Sequence, residues 1–286
     1  MNINRNFKDS VFTMLFDNPD LLRELYCALG GVSLPQDVPV SINTLEKVLY
    51  MDVYNDISFE IGGKLIVLIE HQSTINPNMA LRMLLYVTRV LEKIIEGRNL
   101  YSVKRLSIPW PEFYVLYNGT NPYPDEETLR LSDLFEKPQE LGLPEKLNPL
   151  LELEVKVINI NEGRNKAIVS RCKKLSEYCT FIGKTYDFLE ELGKENKKEA
   201  IERAVKYCQR YDILKEFLEK HASEVSNMLL TEWNTEDAKK VWYEDGVEDG
   251  REDEKLIIAR NLLSEGSTPE FVQKITGLPL DEIEKL

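Results

Sequence analysis

Residues 56–72, DISFEIGGKLIVLIEHQ, constrain the fold of this chain more than any other stretch. Two short runs rich in Ile, Val and Phe flank a Gly-Gly pair, the pattern of a β-hairpin. With a three-residue loop at Gly62-Gly63-Lys64, Ile61 faces Leu65, Phe59 faces Val67, Ile57 faces Ile69 and Asp56 faces Glu70. One face of the hairpin is then wholly apolar, and the other carries both carboxylates. A two-residue Gly-Gly loop would instead set Asp56 opposite Ile69, so the hydrophobic pattern favours the paired carboxylates.

Strand alternation continues past Glu70. It projects Gln72 to the same side and turns the His71 side chain away, while the His71 backbone carbonyl lies between the two residues. Asp56, Glu70 and the His71 carbonyl form a hard-oxygen set suited to Mg²⁺ (or Mn²⁺). Such an ion activates water and stabilises charge on a phosphodiester in transit. On spacing alone, a hairpin whose polar face simply meets solvent is the simpler reading. The following segment shifts the balance. Asn76-Pro77 introduces a helical pattern from about Met79 to Glu96, on which Asn78, Arg82, Tyr86, Arg89 and Lys93 recur at steps of three and four. The expected core face is Leu81, Leu84, Leu85, Thr88, Leu91 and Ile95. A basic stripe next to a carboxylate strand would hold substrate phosphates, with Arg82, Tyr86, Arg89 and Lys93 as DNA-binding residues.

Elsewhere, FKDSVFTMLFDNPDLLRELYCAL reads as helix interrupted at Asn18-Pro19 and ended by Gly30-Gly31. TLEKVLY is a strand or a short helix, and PEFYVLYNG and LELEVKVINI are strands. From Lys166 onward the periodicity is mainly helical. Boundaries fall near Asn161 and Glu244, dividing the chain into a core over 1–161, a helical extension over 162–243 and a C-terminal tail over 244–286. In that tail STPEFVQKITGLPLDEIEKL outlines two short helices resembling a helix-turn-helix. Asp281, Glu282 and Glu284 on the second helix argue against base reading, because carboxylates repel phosphates.

The net charge of −13 counts against a nucleic-acid partner. Its distribution softens the objection. Residues 1–111 carry eleven Lys or Arg against twelve acids, whereas Glu232 to Glu254 has ten acids against Lys239, Lys240 and Arg251. Neither a signal-peptide pattern nor an eighteen-residue apolar run occurs, and the four cysteines form no CxxC pair. These features predict a cytoplasmic protein with reduced thiols and no membrane span. GxSxG, HExxH and GxGxxG are all missing, which removes support for acyl transfer, zinc proteolysis and hydride transfer. Gly183-Lys184-Thr185 in FIGKTYD lacks the earlier glycine and the strand of a phosphate loop, and reads as helix interior.

Asp56 in YNDISFEI, LIEHQSTINPNMALRMLLYVTRV, EFYVLYNG and LSDLF together closely resemble the Rpn recombination-promoting nucleases of the PD-(D/E)xK superfamily, also described as transposases. The likeness continues through LELEVKVINI and ARNLLSEG to ITGLPLDEIEKL, and so covers essentially the whole chain. The resemblance implies an α/β fold with an αβββαβ restriction-endonuclease-like core and a mainly α-helical C-terminal half. It also implies divalent-metal-dependent DNA cleavage, with Asp56 and Glu70 as catalytic metal ligands. Where the superfamily carries Lys, this chain carries Gln72, as the Rpn-like branch does. A glutamine amide cannot titrate and can only orient water, so Arg82 is the candidate for the missing positive charge. Asp9 and Glu24 are candidates for an assisting first-helix acid. The expected function is an endonuclease tied to recombination or mobile elements, acting as a homodimer. The alternative is a catalytically silent nuclease-fold module that binds DNA or protein.

Overall fold

The computed structural model describes residues 10–42, 56–98, 100–136 and 149–283. The segment TLEKVLY and Asp9 lie outside the described residues. The chain opens on two helices, α1 (Val11–Leu15) and α2 (Pro19–Gly30), separated where expected. Asn18 caps α2, its Oδ1 accepting the Asp20 and Leu21 N–H groups at 2.9 and 3.2 Å, and Pro19 starts the helix at a position that needs no donor. Gly31, at φ 65°, ends it in a left-handed turn.

A short strand β1 (Val40–Ile42) leads to β2 (Ile57–Ile61) and β3 (Leu65–Gln72). Helix α3 (Met79–Ile94) then crosses to β4 (Trp110–Tyr117), followed by β5 (Glu126–Arg130) and β6 (Glu154–Asn159). The six strands form one mixed sheet in the order β1-β2-β3-β4-β6-β5. Pairing is antiparallel from β1 to β3, parallel from β3 through β4 to β6, and antiparallel again at β5. Parallel neighbours need a crossover, and α3 supplies the one between β3 and β4. The β5 sequence EETLR lacks the apolar alternation that marks a strand. It forms an edge, where charged residues guard against pairing with another chain.

The β2–β3 hairpin has the expected register: Ile57 pairs with Ile69, Phe59 with Val67 and Ile61 with Leu65. Gly62 and Gly63 take φ of 59° and 67°, which favours glycine at both, and the Lys64 N–H closes the turn on the Ile61 carbonyl at 3.1 Å. Both faces of the hairpin are covered. On one, Ile66 and Leu68 join Met79, Ala80, Met83, Tyr86, Val87 and Val90 of α3 in a single core cluster. On the other, the His71 ring stacks on Phe12 of α1 at 4.8 Å.

Helix α3 departs from its expected orientation. Its buried residues are Met79, Ala80, Met83, Tyr86, Val87 and Val90, whereas Leu81 and Leu85 are 44% and 43% exposed and Thr88 is exposed. Apolar residues surround much of this helix, so more than one apolar stripe exists in the sequence. The sheet selects the stripe that fills the space above Ile66 and Leu68. Burial of each large apolar side chain there contributes about 2 kcal/mol. Tyr86 therefore belongs to the core face rather than to an exposed basic stripe.

The remaining chain is helical: α4 (Lys166–Val169), α5 (Lys173–Leu192), α6 (Lys197–Arg210), α7 (Lys215–Ser264), α8 (Pro269–Thr276) and α9 (Leu280–Ile283). Gly183-Lys184-Thr185 lies inside α5, as its sequence context predicts. Helix α7 runs through Gly246 and Gly250, with one break in helical backbone at His221. The chain divides into two compact units, Met1–Leu229 and Leu230–Leu286. The second has its own small core of Ala259, Val272, Leu278 and Ile283. Thr268 caps α8 and Gly277 ends it, matching the two short helices read from the sequence.

Candidate active site

The hairpin brings Asp56 and Glu70 together. Asp56 sits just before β2, across from Glu70 near the end of β3, and the Asp56 N–H donates to Glu70 Oε1 at 3.3 Å. Asp56 Oδ2 in turn accepts the backbone N–H of His71 at 2.7 Å. Glu70 is only 3% exposed, lying beneath α3 at the end of the apolar cluster. Two carboxylates held this close, one of them nearly dry, are costly unless compensated.

The compensation comes from α3. Arg82 Nη2 lies 3.2 Å from Glu70 Oε2. Its guanidinium is fixed from behind by Tyr86, whose hydroxyl accepts from Nε at 3.0 Å and from Nη2 at 2.6 Å. Arg82 and Tyr86 are one helical turn apart, so a single face of α3 delivers both to Glu70. One guanidinium against two carboxylates leaves the pair short of positive charge when both are ionised. Burial pushes the Asp56 carboxyl up to about 6, against the lowering effects of the His71 N–H and Arg82. Burial, followed by the charge of Asp56, raises Glu70 well above the usual carboxylate range, with Arg82 opposing. Tyr86 is pushed up to about 12 by burial and by Glu70.

Gln72 lies on the Glu70 side of β3, and its Nε2 donates to the Met79 sulfur at 3.0 Å. Arg82 Nη1 approaches the same sulfur at 3.4 Å, so Met79 sits between the amide and the guanidinium. The His71 ring points the other way, as alternation predicts. Its Nε2 is 3.1 Å from the Tyr178 hydroxyl of α5, and burial lowers its pKa to about 3, which keeps it neutral. Its backbone remains at the site. A strand residue directs its N–H and C=O to the same edge, so the His71 carbonyl leaves on the side where the N–H meets Asp56.

Arg89 and Lys93 lie further along α3. Both are exposed, and Arg89 pairs with Glu92 at 2.8 Å. Neither joins the Asp56–Glu70 cluster. Glu24 is engaged elsewhere, accepting the Lys173 N–H at the start of α5 at 2.8 Å. The structure adds Met79 and reassigns Tyr86. Their signal in the sequence was the Met79, Arg82 and Tyr86 spacing, which places all three on one side of the helix. One further contact shapes this end of the sheet. Just past β4, a Cβ on Gly119 would lie 1.8 Å from the Ser73 carbonyl oxygen and 2.6 Å from the Tyr117 hydroxyl.

Among the described residues no group of three or more His, Cys, Asp and Glu side chains could hold a metal ion. The donor set at the hairpin is instead two carboxylates and a backbone carbonyl, all hard oxygens. A site of this kind fits a Mg²⁺ or Mn²⁺ ion that keeps several waters, and the shortage of positive charge favours a divalent cation.

These features define a mixed α/β protein whose six-stranded sheet carries a buried acidic pair, with an arginine at its mouth. The chain belongs to the family described as "Putative transposase, YhgA-like", whose model matches residues 39–200, more than half of its length. The matched span includes β1 to β6, Asp56, Glu70, Gln72, Arg82 and Tyr86. No curated protein and no solved structure matches the chain. Among the described residues no helix is long and apolar enough to cross a membrane.

Proposed function

We propose that this protein is a divalent-metal-dependent DNA endonuclease with a PD-(D/E)xK core, hydrolysing phosphodiester bonds during recombination or movement of genetic elements. The observation that carries this reading is the Asp56–Glu70 pair: two carboxylates under-compensated by one arginine at the end of a β-hairpin. The order α2-β1-β2-β3-α3-β4 supports the αβββαβ core, and membership of a transposase family supports a DNA substrate.

Asp56, Glu70 and the His71 carbonyl would hold Mg²⁺ or Mn²⁺. The ion supplies water activation and neutralisation of charge developing on the phosphate. Arg82, oriented by Tyr86, places a fixed positive charge beside the reacting phosphate and stands in for the lysine common in the superfamily. Gln72 orients water through its amide, which does not titrate. Arg89 and Lys93 hold flanking phosphates. A homodimer would bring two such sites to the two strands of a duplex.

A catalytically silent nuclease-fold module is the second reading, favoured by the contact of the Gln72 amide with Met79 rather than with a titrating partner. Incubation of supercoiled plasmid with Mg²⁺ or Mn²⁺ separates the two. The unmodified protein is expected to nick the plasmid, while Asp56→Ala and Glu70→Ala leave it intact. Equal activity in all three proteins rejects this site, and inactivity of the unmodified protein across both metals selects the silent module.

A further inference from the structure

The loop between α3 and β4 differs in composition from the rest of this acidic chain. Between Ile94 and Trp110 it contains Arg98, Lys104 and Arg105 against a single acid, Glu96. All three cations are exposed, as is Lys64, whose carbonyl accepts the Trp110 N–H at 2.8 Å where the loop joins β4. Large apolar side chains stand among them. Tyr101 is 96% exposed and Trp110 72%, and Leu100, Val103 and Ile108 are exposed as well. Single exposed apolar residues need no explanation, but five within eleven residues are an unusual concentration.

We propose that this loop is a second nucleic-acid contact, which holds unpaired bases of a DNA strand while the strand continues toward Asp56 and Glu70. The proposal rests on the phosphodiester reading above and deepens it by naming a single-stranded segment as part of the substrate. Its cations match the phosphates in charge, and Tyr101 offers a ring on which a base can stack irrespective of sequence. A closed duplex keeps its bases stacked on one another and presents no free base face to that ring. The phosphate contacts work for either form, whereas the stacking contact works only for unpaired DNA.

Position supports a continuous path. Trp110 pairs with Leu65, five residues before Glu70 on β3. At about 3.3 Å per residue this is roughly 17 Å, a distance that a few nucleotides of strand span. Helix α3 spans the interval, with Arg82 at the site end and exposed Arg89 and Lys93 farther along toward the loop. Arg89 is paired with Glu92, so Arg82, Lys93 and the loop's own three cations are the charges that favour a polyanionic strand over a lipid surface, which the apolar and basic side chains would otherwise also suit.

The test uses the full chain in EDTA, so that binding is read without cleavage. Fluorescence anisotropy compares a labelled oligothymidylate of about twenty nucleotides with a duplex of the same length, beside co-sedimentation with phosphatidylglycerol-containing vesicles. The single strand is expected to bind more tightly than the duplex. Tyr101→Ala should weaken the single strand about tenfold and leave the duplex unchanged. Replacing Arg98, Lys104 and Arg105 together by Ala should lower the slope of log affinity against log salt for the single strand by about 2. Unchanged circular dichroism and melting temperature establish that these exposed-loop variants fold. Plasmid nicking combined with single-strand binding that ignores all four substitutions overturns this inference and leaves the endonuclease reading standing. Loop-dependent strand binding by a chain that never nicks does the reverse. Vesicle binding that needs the loop, with DNA binding that does not, assigns the loop to a membrane and overturns the proposal.

Discussion

Glu70 and His71 are neighbours on one strand, both buried, yet the two faces of β3 treat them in opposite ways. On the His71 side the imidazole is stacked on Phe12, bonded to the Tyr178 hydroxyl and held neutral. On the Glu70 side a second carboxylate is brought in from Asp56, and Arg82 compensates only part of the combined charge. A chain selected for stability alone would treat both faces like the first. The raised carboxyls on the second face support the metal-binding role proposed for it, because strongly perturbed acids cluster at functional sites.

The sharpest way to break the comparison is to exchange the polar group on each face. Glu70→Gln preserves shape and is expected to lower plasmid nicking at least a hundredfold. His71→Phe, which keeps a planar ring against Phe12, should hold nicking within about twofold of the unmodified protein. Comparable losses in the two variants would mean that the faces are not functionally distinct.

Arg82 sharpens the comparison at the next level. Arg82→Ala is expected to reduce turnover about ten- to a hundredfold, at or below the lower end of the roughly hundred- to thousandfold loss for removing one preorganised donor. Calorimetric titration with Ca²⁺ should show metal affinity equal to or tighter than that of the unmodified protein, because a competing cation has been removed from Glu70. Weaker metal binding in this variant would make Arg82 a support for the carboxylates rather than a contact to substrate.

The smallest effect is on stability and depends on pH. Burial pushes the Asp56 carboxyl up to about 6 in the folded protein, above its ordinary value of about 3.9. A raised carboxyl contributes stability that is full below the unfolded value and is lost as pH rises through the folded value. Removing the group by Asp56→Asn should therefore leave the melting temperature nearly unchanged at pH 4 relative to the unmodified protein and raise it by a few degrees at pH 8, both measured in EDTA. Buried His71 titrates in the opposite sense, lowering stability as pH falls from about 6.5, so the difference between variant and parent is the informative quantity. A pH-independent difference would show that Asp56 carries no charge penalty.

The hairpin was legible because two independent cues agree: the apolar alternation of residues 57–69 and a glycine loop of one particular length. The starts of α2 and α3 were legible from the Asn-Pro pair at or just ahead of each, with Asn18 capping α2 through its side chain. The orientation of α3 was not. Met83 and Leu81 are both apolar, and only the shape of the sheet beneath them decides which is buried, a tertiary effect that periodicity does not encode. Edge strand β5 escaped for a related reason, since its residues are held by pairing with β6 rather than by burial. At the site, Asp56, Glu70 and their shared face followed from register. The capture of Arg82 by Glu70, and the burial of Tyr86 behind it, depended on the helix face and became visible only in three dimensions.

The close pass of Gly119 over Ser73 extends the site's requirements to a residue that bears no side chain. With 1.8 Å of clearance, the smallest possible replacement, a methyl group, has nowhere to go unless the ends of β3 and β4 separate. Gln72 is the last residue of β3 and its carbonyl accepts the Asn118 N–H at 3.0 Å, so such a wedge would act directly on the strand end that presents Glu70 and Gln72. Position 119 is thus a point where inheritance of the site can fail silently, with every chemically active residue still in place.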